Sequence, residues 1–171
     1  MYRVIEPNFN IMNLSDLLNE TTICCPIVSN NRNGCIQELL NHLQSLGHLS
    51  GTIKLYNYIE DLENNHSTAT GKGVAYPHST SIEVNNLICI LGVSKSGLDF
   101  NSPDGQLCHI ILLSLSAKDE PDKHRKFITL FRSMISNSNI RTQMLDSNNP
   151  NEIIKIIANW EENDSLVDDL E

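Results

Sequence analysis

Apolar side chains recur at helical spacing in several stretches of the chain. Between residues 33 and 47 they lie three or four positions apart, which places them on one face of an amphipathic helix that ends at Gly47. Further helices are predicted over 52–63 and 138–145, and another is predicted to begin near Pro121. A last helix follows Asn149, because asparagine, proline and glutamate occupy typical N-cap, N1 and N3 positions there. A short helix is predicted over 13–19.

Other apolar stretches are continuous instead of periodic. Residues 87–93 and 107–115 are almost uniformly apolar, as is typical of strands that are covered on both faces. Residues 21–28 are rich in β-formers and predict another strand, and 74–76 predict a brief one. Because helices and strands alternate throughout, the pattern predicts one α/β domain with helices on both faces of a sheet.

Composition narrows the function. The 171 residues carry a formal net charge of −9, and no basic stripe is present that would favour nucleic acid or an anionic membrane surface. Five cysteines, an odd number without a CxxC pair, favour a reducing compartment over disulfides or a zinc site. The first residues are not typical of a signal peptide, and no apolar run is long enough for a membrane span. We therefore expect a cytoplasmic protein.

The stretch GKGVAYPH, residues 71–78, carries the candidate chemistry. Its glycines permit a tight turn, and Pro77 fixes the backbone just before His78. Neutral imidazole is a good nucleophile near pH 7, and a phosphoryl group on its nitrogen stays transferable. The residues by themselves leave open whether His78 is a phosphoryl acceptor or an ordinary polar loop residue. They are not a nucleotide-binding P-loop, because the required glycine and serine or threonine are missing.

The same stretch resembles the active-site signature of the IIA domains of the bacterial phosphotransferase system, of the fructose/mannitol and nitrogen-regulatory type. The similarity extends to Ser67-Thr68, to the loop over 98–106 and to His124, and it covers residues 11–160. It implies a mixed sheet of about five strands with helices on both faces. It also implies that His78 accepts a phosphoryl group from the carrier HPr or its nitrogen-branch counterpart, with His124 as a second active-site histidine.

We assign further residues to a phosphate pocket: Ser67, Thr68, Lys72, Gly73 and Ser79. No metal or cofactor is expected, since the transfer implied by the resemblance runs between protein side chains. Residues 1–10 then form an N-terminal extension, and the acidic residues 161–171 form a tail that we expect to be mobile.

The chain departs from the family pattern at two positions. Leu62, followed by Glu63, stands where the family usually has an arginine, and His109 replaces a common acidic residue. An arginine there would favour phosphate charge. Lys72 and Arg125 are the candidates to replace it.

Three functions stay open at this point. The main hypothesis is a nitrogen-regulatory IIA protein whose phosphorylation state controls binding to other proteins. The first alternative is a IIA subunit that passes phosphate to a IIB component for sugar uptake. The second, motivated by Leu62, is a binding protein that has lost phosphoryl transfer.

Overall fold

A computed structural model describes residues 12–168, with side chains through residue 164. A 3-10 turn over Leu14–Asp16 comes first. The strands that follow are β1 (Ile23–Cys24), β2 (Ala69–Gly71), β3 (Val74–Ala75), β4 (His78–Ser81), β5 (Ile88–Leu98) and β6 (Cys108–Ala117). The helices are α1 (Arg32–Ser45), α2 (Ile53–Asn65), α3 (Pro121–Ile135), α4 (Ser138–Asp146) and α5 (Pro150–Asp168).

The six strands form one mixed sheet in the order β1-β5-β6-β3-β2. Strand β4 pairs with β6 beyond β3. The two long strands, β5 and β6, are antiparallel to each other. Strand β1 runs parallel to β5, β3 and β4 run parallel to β6, and β2 is antiparallel to β3. The predicted mixed sheet is confirmed, with six strands in place of about five.

Two apolar layers cover the sheet, and successive residues of β6 point alternately into them. Ile110 and Leu112 pack beneath the 3-10 turn, α3, α4 and α5. Ile111, Leu113 and Leu115 pack beneath α1 and α2. This alternation explains why the strand is mostly apolar, as strands covered on both sides are.

The two cysteines that lie in the long strands are part of these layers. Cys89 and Cys108 are almost fully buried, and burial raises the pKa of the Cys108 thiol to about 12. A thiol with such a pKa stays protonated near neutral pH and packs as a small apolar side chain. Cys89 and Cys108 therefore serve as buried apolar side chains of the core.

Several predicted elements differ in extent from the structure. The strand predicted over 21–28 is reduced to the two residues of β1, because Pro26 has no N–H to donate and Val28 is exposed. The helix predicted over 13–19 is only the 3-10 turn. Helix α5 runs to Asp168, well into the predicted tail, and Glu161 accepts hydrogen bonds from Ser15. Residues 1–10 lie outside the described part of the chain.

The last helix begins as the sequence predicts. It starts at Pro150, and the Asn149 side chain accepts a hydrogen bond from the backbone of Glu152 (3.1 Å). None of the helices within residues 12–168 combines the length and apolar character that crossing a bilayer requires.

Candidate phosphoryl-transfer site

The segment around His78 runs as two short strands along one side of β6. Val74 and Ala75 of β3 are opposite Ile110 and Ile111, and His78 of β4 is opposite Ser114. Pro77 separates the two strands, and its carbonyl accepts the N–H of Ser114 (3.1 Å). His78 is therefore held by strand pairing immediately after a residue with a fixed φ.

The His78 ring is exposed and has one nitrogen anchored. Its Nδ1 lies 2.9 Å from the carbonyl oxygen of Tyr76. A carbonyl oxygen accepts hydrogen bonds but cannot donate them, so Nδ1 carries the hydrogen in this contact. The neutral ring then has its lone pair on Nε2, which is the nitrogen available for attack on phosphorus.

Tyr76 itself is fixed from the helical side. Its ring packs edge-on against Phe131 of α3 at a centroid distance of 6.1 Å, and the guanidinium of Arg132 lies 4.9 Å from its centroid. Such aromatic and cation–π contacts restrict ring motion. Since Tyr76 supplies the carbonyl that anchors His78, helix α3 supports the position of the nucleophile.

A second histidine faces the first. His124 lies in the first turn of α3, and the centroid of its ring is 5.6 Å from that of His78. Its Nε2 is 2.7 Å from the hydroxyl oxygen of Ser114, in the centre of the sheet. The structure therefore brings together His78 and His124, the two histidines predicted from the sequence, and adds a serine that sequence reasoning did not identify.

We predict that His124 titrates below the ordinary histidine value. Burial, and then the neighbouring charge of His78, lower the pKa of His124. The folded state thus disfavours the imidazolium, so this group makes folding less stable as the pH falls below about 6.5, the value of an unfolded histidine. A pH titration of the histidine ring resonances by NMR measures this. A His124 pKa at or above 6.5 in the unphosphorylated protein contradicts it.

Ser67 and Thr68 lie at the same end of the sheet as His78, but their hydroxyl hydrogens are engaged. The Ser67 hydroxyl donates to the carbonyl of Phe100. The Thr68 hydroxyl donates to Glu63 and accepts the N–H of Tyr76 (3.1 Å). Both residues thus tie neighbouring segments to the strand that ends at His78. That Ser67 and Thr68 belong to the phosphate pocket stays a prediction. In this arrangement neither hydroxyl has a free hydrogen to donate to a phosphoryl oxygen.

Glu63 is the anchor of this network, and its role was not predicted from the sequence. Its side chain is only 2% exposed, and it accepts hydrogen bonds from both the backbone and the hydroxyl of Thr68. A buried carboxylate needs such partners to offset its lost hydration. Through Thr68, Glu63 connects the end of α2 to Tyr76, two residues before His78.

The structure does not bring Lys72 and Gly73 to His78. Gly73 lies at the start of β3, where its carbonyl accepts the N–H of His109 (2.8 Å), whereas His78 pairs with Ser114. Five residues of β6 separate these contacts, or roughly 16 Å at about 3.3 Å per residue. The glycine turn, with Lys72 at a φ of +58°, lies at the opposite end of the strand.

Ser79 is adjacent to His78 but faces away from it. Along β4, exposed and buried side chains alternate, and Ser79 is buried while its hydroxyl donates to the carbonyl of Thr80 (2.9 Å). Successive strand residues point to opposite faces. The Ser79 side chain therefore lies on the face opposite to His78 and His124, and the prediction that this hydroxyl contacts the phosphoryl group is not supported.

In the part of the chain that it describes, the structure shows no side-chain contact of Lys72 or Arg125, the two candidates to replace the missing arginine, with His78 or His124. Lys72 is at the far end of the strand, as described above. Arg125 is exposed and lies 3.6 Å from Asp122, a helix turn earlier on the outer face of α3. Leu62 is half-buried near the end of α2, beside Glu63. Among the described residues, the observed side-chain contact of Arg125 is thus with Asp122, although Arg125 directly follows His124 in the chain.

Comparison with known proteins gives the family. The sequence model of one protein family matches residues 16–160. This family is the EIIA 2 domain of the phosphoenolpyruvate-dependent sugar phosphotransferase system. The chain belongs to this family. The resemblance of the GKGVAYPH stretch is thereby confirmed, and EIIA 2 domains are phosphotransferase components that carry a phosphohistidine.

A curated relative of this EIIA 2 chain is a component of the phosphotransferase system. A fructose-specific EIIABC component of Bacillus subtilis is 29% identical over 146 residues, which cover 85% of this chain and 23% of the relative. The chain thus spans about a quarter of the length of that curated relative.

Solved structures share the fold. The nitrogen regulatory protein IIA-Ntr of Neisseria meningitidis has a TM-score of 0.76 at 19% identity, covering 84% of this chain and 98% of the other. The mannitol enzyme IIA of Escherichia coli, solved in complex with phosphorylated IIB, has a TM-score of 0.69 at 14% identity, covering 83% of this chain and 97% of the other.

Proposed function

We propose that this EIIA 2 chain is a phosphocarrier that accepts a phosphoryl group on Nε2 of His78. The donor is a phosphohistidine protein, HPr or its nitrogen-branch counterpart. The observation that carries the proposal is the pairing of an exposed histidine, anchored at Nδ1 by the Tyr76 carbonyl, with a second histidine whose ring centroid is 5.6 Å away. A ring held in this way presents one nucleophilic nitrogen to an incoming protein.

The transfer needs no proton to leave the site. The lone pair of His78 Nε2 forms the new bond to phosphorus, while the bond between phosphorus and the donor nitrogen breaks and returns its electron pair to that nitrogen. The hydrogen on His78 Nδ1 stays with the Tyr76 carbonyl. The phosphorylated ring is then an imidazolium, which keeps the group transferable to the next acceptor.

The destination of the phosphoryl group distinguishes the two roles within this proposal. A nitrogen-regulatory protein keeps the group as a signal that changes its binding to other proteins. A sugar-transport subunit passes it to a cysteine or histidine of a IIB component. The sequence match to a fructose-specific EIIABC component supports the second route, and the family also includes proteins of the first kind.

The test is phosphorylation of the purified chain by phosphoenolpyruvate, enzyme I and HPr, and separately with the nitrogen-branch carrier. Intact mass is expected to increase by one acid-labile phosphoryl group with at least one donor. The phosphorylated protein is then mixed with IIB components, and loss of the group distinguishes transfer to a transporter from retention as a signal. A folded protein that takes no phosphoryl group from either carrier contradicts the proposal and favours the non-catalytic alternative, with Leu62→Arg as the next variant.

A further inference from the structure

Ser114 stands out within an apolar surface. It is 1% exposed and lies on β6 between two paired residues, His78 on β4 and Cys89 on β5. Ile110 and Leu112 of the same strand face belong to the apolar layer under α3. A buried hydroxyl is unfavourable in such surroundings unless it has a hydrogen-bond partner. The partner here is Nε2 of His124, at 2.7 Å.

We propose that Ser114 is a positioning residue for phosphoryl transfer, which acts by fixing the ring of His124. This inference rests on the phosphocarrier function proposed above. Because the serine hydroxyl occupies Nε2 of His124, the other ring nitrogen, Nδ1, is left to donate a hydrogen bond to the phosphoryl oxygens on His78. Ser114 thus decides which nitrogen of the second histidine serves the reaction.

The two histidines have partners of different chemistry, and this difference gives them different roles. The Tyr76 carbonyl can only accept, so it holds His78 in one tautomer. A serine hydroxyl both donates and accepts. When His124 is neutral, the Ser114 hydroxyl donates to Nε2, because a buried hydroxyl hydrogen without an acceptor is unfavourable. When His124 is an imidazolium, the hydroxyl accepts from Nε2–H, without any movement of the ring.

This adaptability matters when the phosphoryl group arrives. The dianion on His78 favours a positive charge nearby, so His124 takes one proton from solvent and becomes an imidazolium. Rotation of the Ser114 hydroxyl then keeps both ring nitrogens hydrogen-bonded, with Nδ1–H directed to the phosphoryl group. A carbonyl at the position of Ser114 would hold the hydrogen on Nε2 in the neutral ring and leave Nδ1 without one.

The first measurement uses the unphosphorylated chain labelled with ¹⁵N-histidine. Long-range ¹H–¹⁵N spectra at a pH above the His124 titration report which ring nitrogen carries the hydrogen. We expect the hydrogen on Nδ1 of His124 in the wild type and in Ser114→Thr, which keeps the hydroxyl. We expect a shift toward the other tautomer in Ser114→Ala. Ser114→Cys, whose thiol is a weaker partner of similar size, gives the same information if the alanine variant does not fold.

Ser116→Ala is the matched control, because Ser116 lies two residues further along the same strand face and is 6% exposed. It should leave the His124 ring nitrogens as in the wild type. Identical ring-nitrogen shifts in Ser114→Ala and the wild type overturn the proposal, as does an equal change in Ser116→Ala.

The second measurement is the rate of phosphorylation by the active donor. Ser114→Ala should be slower than the wild type by roughly five- to tenfold, the effect of one hydrogen bond, and Ser114→Thr should recover most of the rate. A wild-type rate in Ser114→Ala overturns the positioning role. If no donor phosphorylates the wild type, the phosphocarrier function fails, whereas the NMR comparison still decides whether Ser114 sets the tautomer of His124.

Discussion

His78→Asn is expected to accept no measurable phosphoryl group while the protein stays folded. The variant removes the nucleophilic nitrogen, and loss of the nucleophile lowers transfer by at least roughly a thousandfold. The His78 ring is exposed, so the same change should alter the free energy of unfolding by no more than about 0.5 kcal/mol. Intact mass after incubation with each donor measures the first effect, and thermal unfolding measures the second.

The control for this experiment is His48→Asn. His48 is also exposed but lies in the loop after α1, outside the paired strands β4 and β6. It should be phosphorylated at the wild-type rate. Wild-type phosphorylation of His78→Asn would instead place the acceptor on another residue, and peptide mapping of the phosphorylated variant would then identify it.

Glu63→Ala is expected to lower the free energy of unfolding by about 2–4 kcal/mol, because two hydrogen bonds to a buried carboxylate are lost and the Thr68 N–H is left without its partner. For a domain of this size each kcal/mol corresponds to roughly 2–4 °C in Tm. Thermal or denaturant unfolding measures the loss.

The matched control is Asp61→Ala, an exposed acidic residue of the same helix, which should change the stability by less than about 0.5 kcal/mol. Thr68→Val removes the hydroxyl from the other side of the contact. The double variant Glu63→Ala/Thr68→Val should therefore be less destabilised than the sum of the single variants. Simple additivity would show that Glu63 and Thr68 do not act together.

Sequence patterns predicted the elements whose apolar spacing is strong. Helices α1 and α3 and the buried strands β5 and β6 lie where the stripes and continuous runs place them. Strand β4 was not predicted, because its sequence, His-Ser-Thr-Ser, has no apolar face, and pairing with β6 determines its conformation instead. Tertiary pairing of this kind leaves no periodic signal in the chain.

The sequence predicted the two histidines of the site, His78 and His124, but not the residues that support them. Lys72 was assigned to the pocket and named as a candidate to replace the missing arginine. Six residues of extended chain, however, span roughly 20 Å at about 3.3 Å each. Ser114 was missed because it lies within an apolar run, where a single serine carries no motif. Only the strand register reveals that it is opposite His78 and beneath His124.

The lengths of the strands have a consequence for how this protein meets others. The outer strands β1, β2 and β4 contain two, three and four residues, whereas the inner strands β5 and β6 contain 11 and 10. Short edges expose few unpaired N–H and C=O groups, so they offer little backbone for another chain to extend the sheet. In the phosphocarrier role proposed above, the chain would meet and release its donor and acceptor, and short edges would protect it from permanent association through the sheet. Recognition in that role would then depend on the side chains around His78.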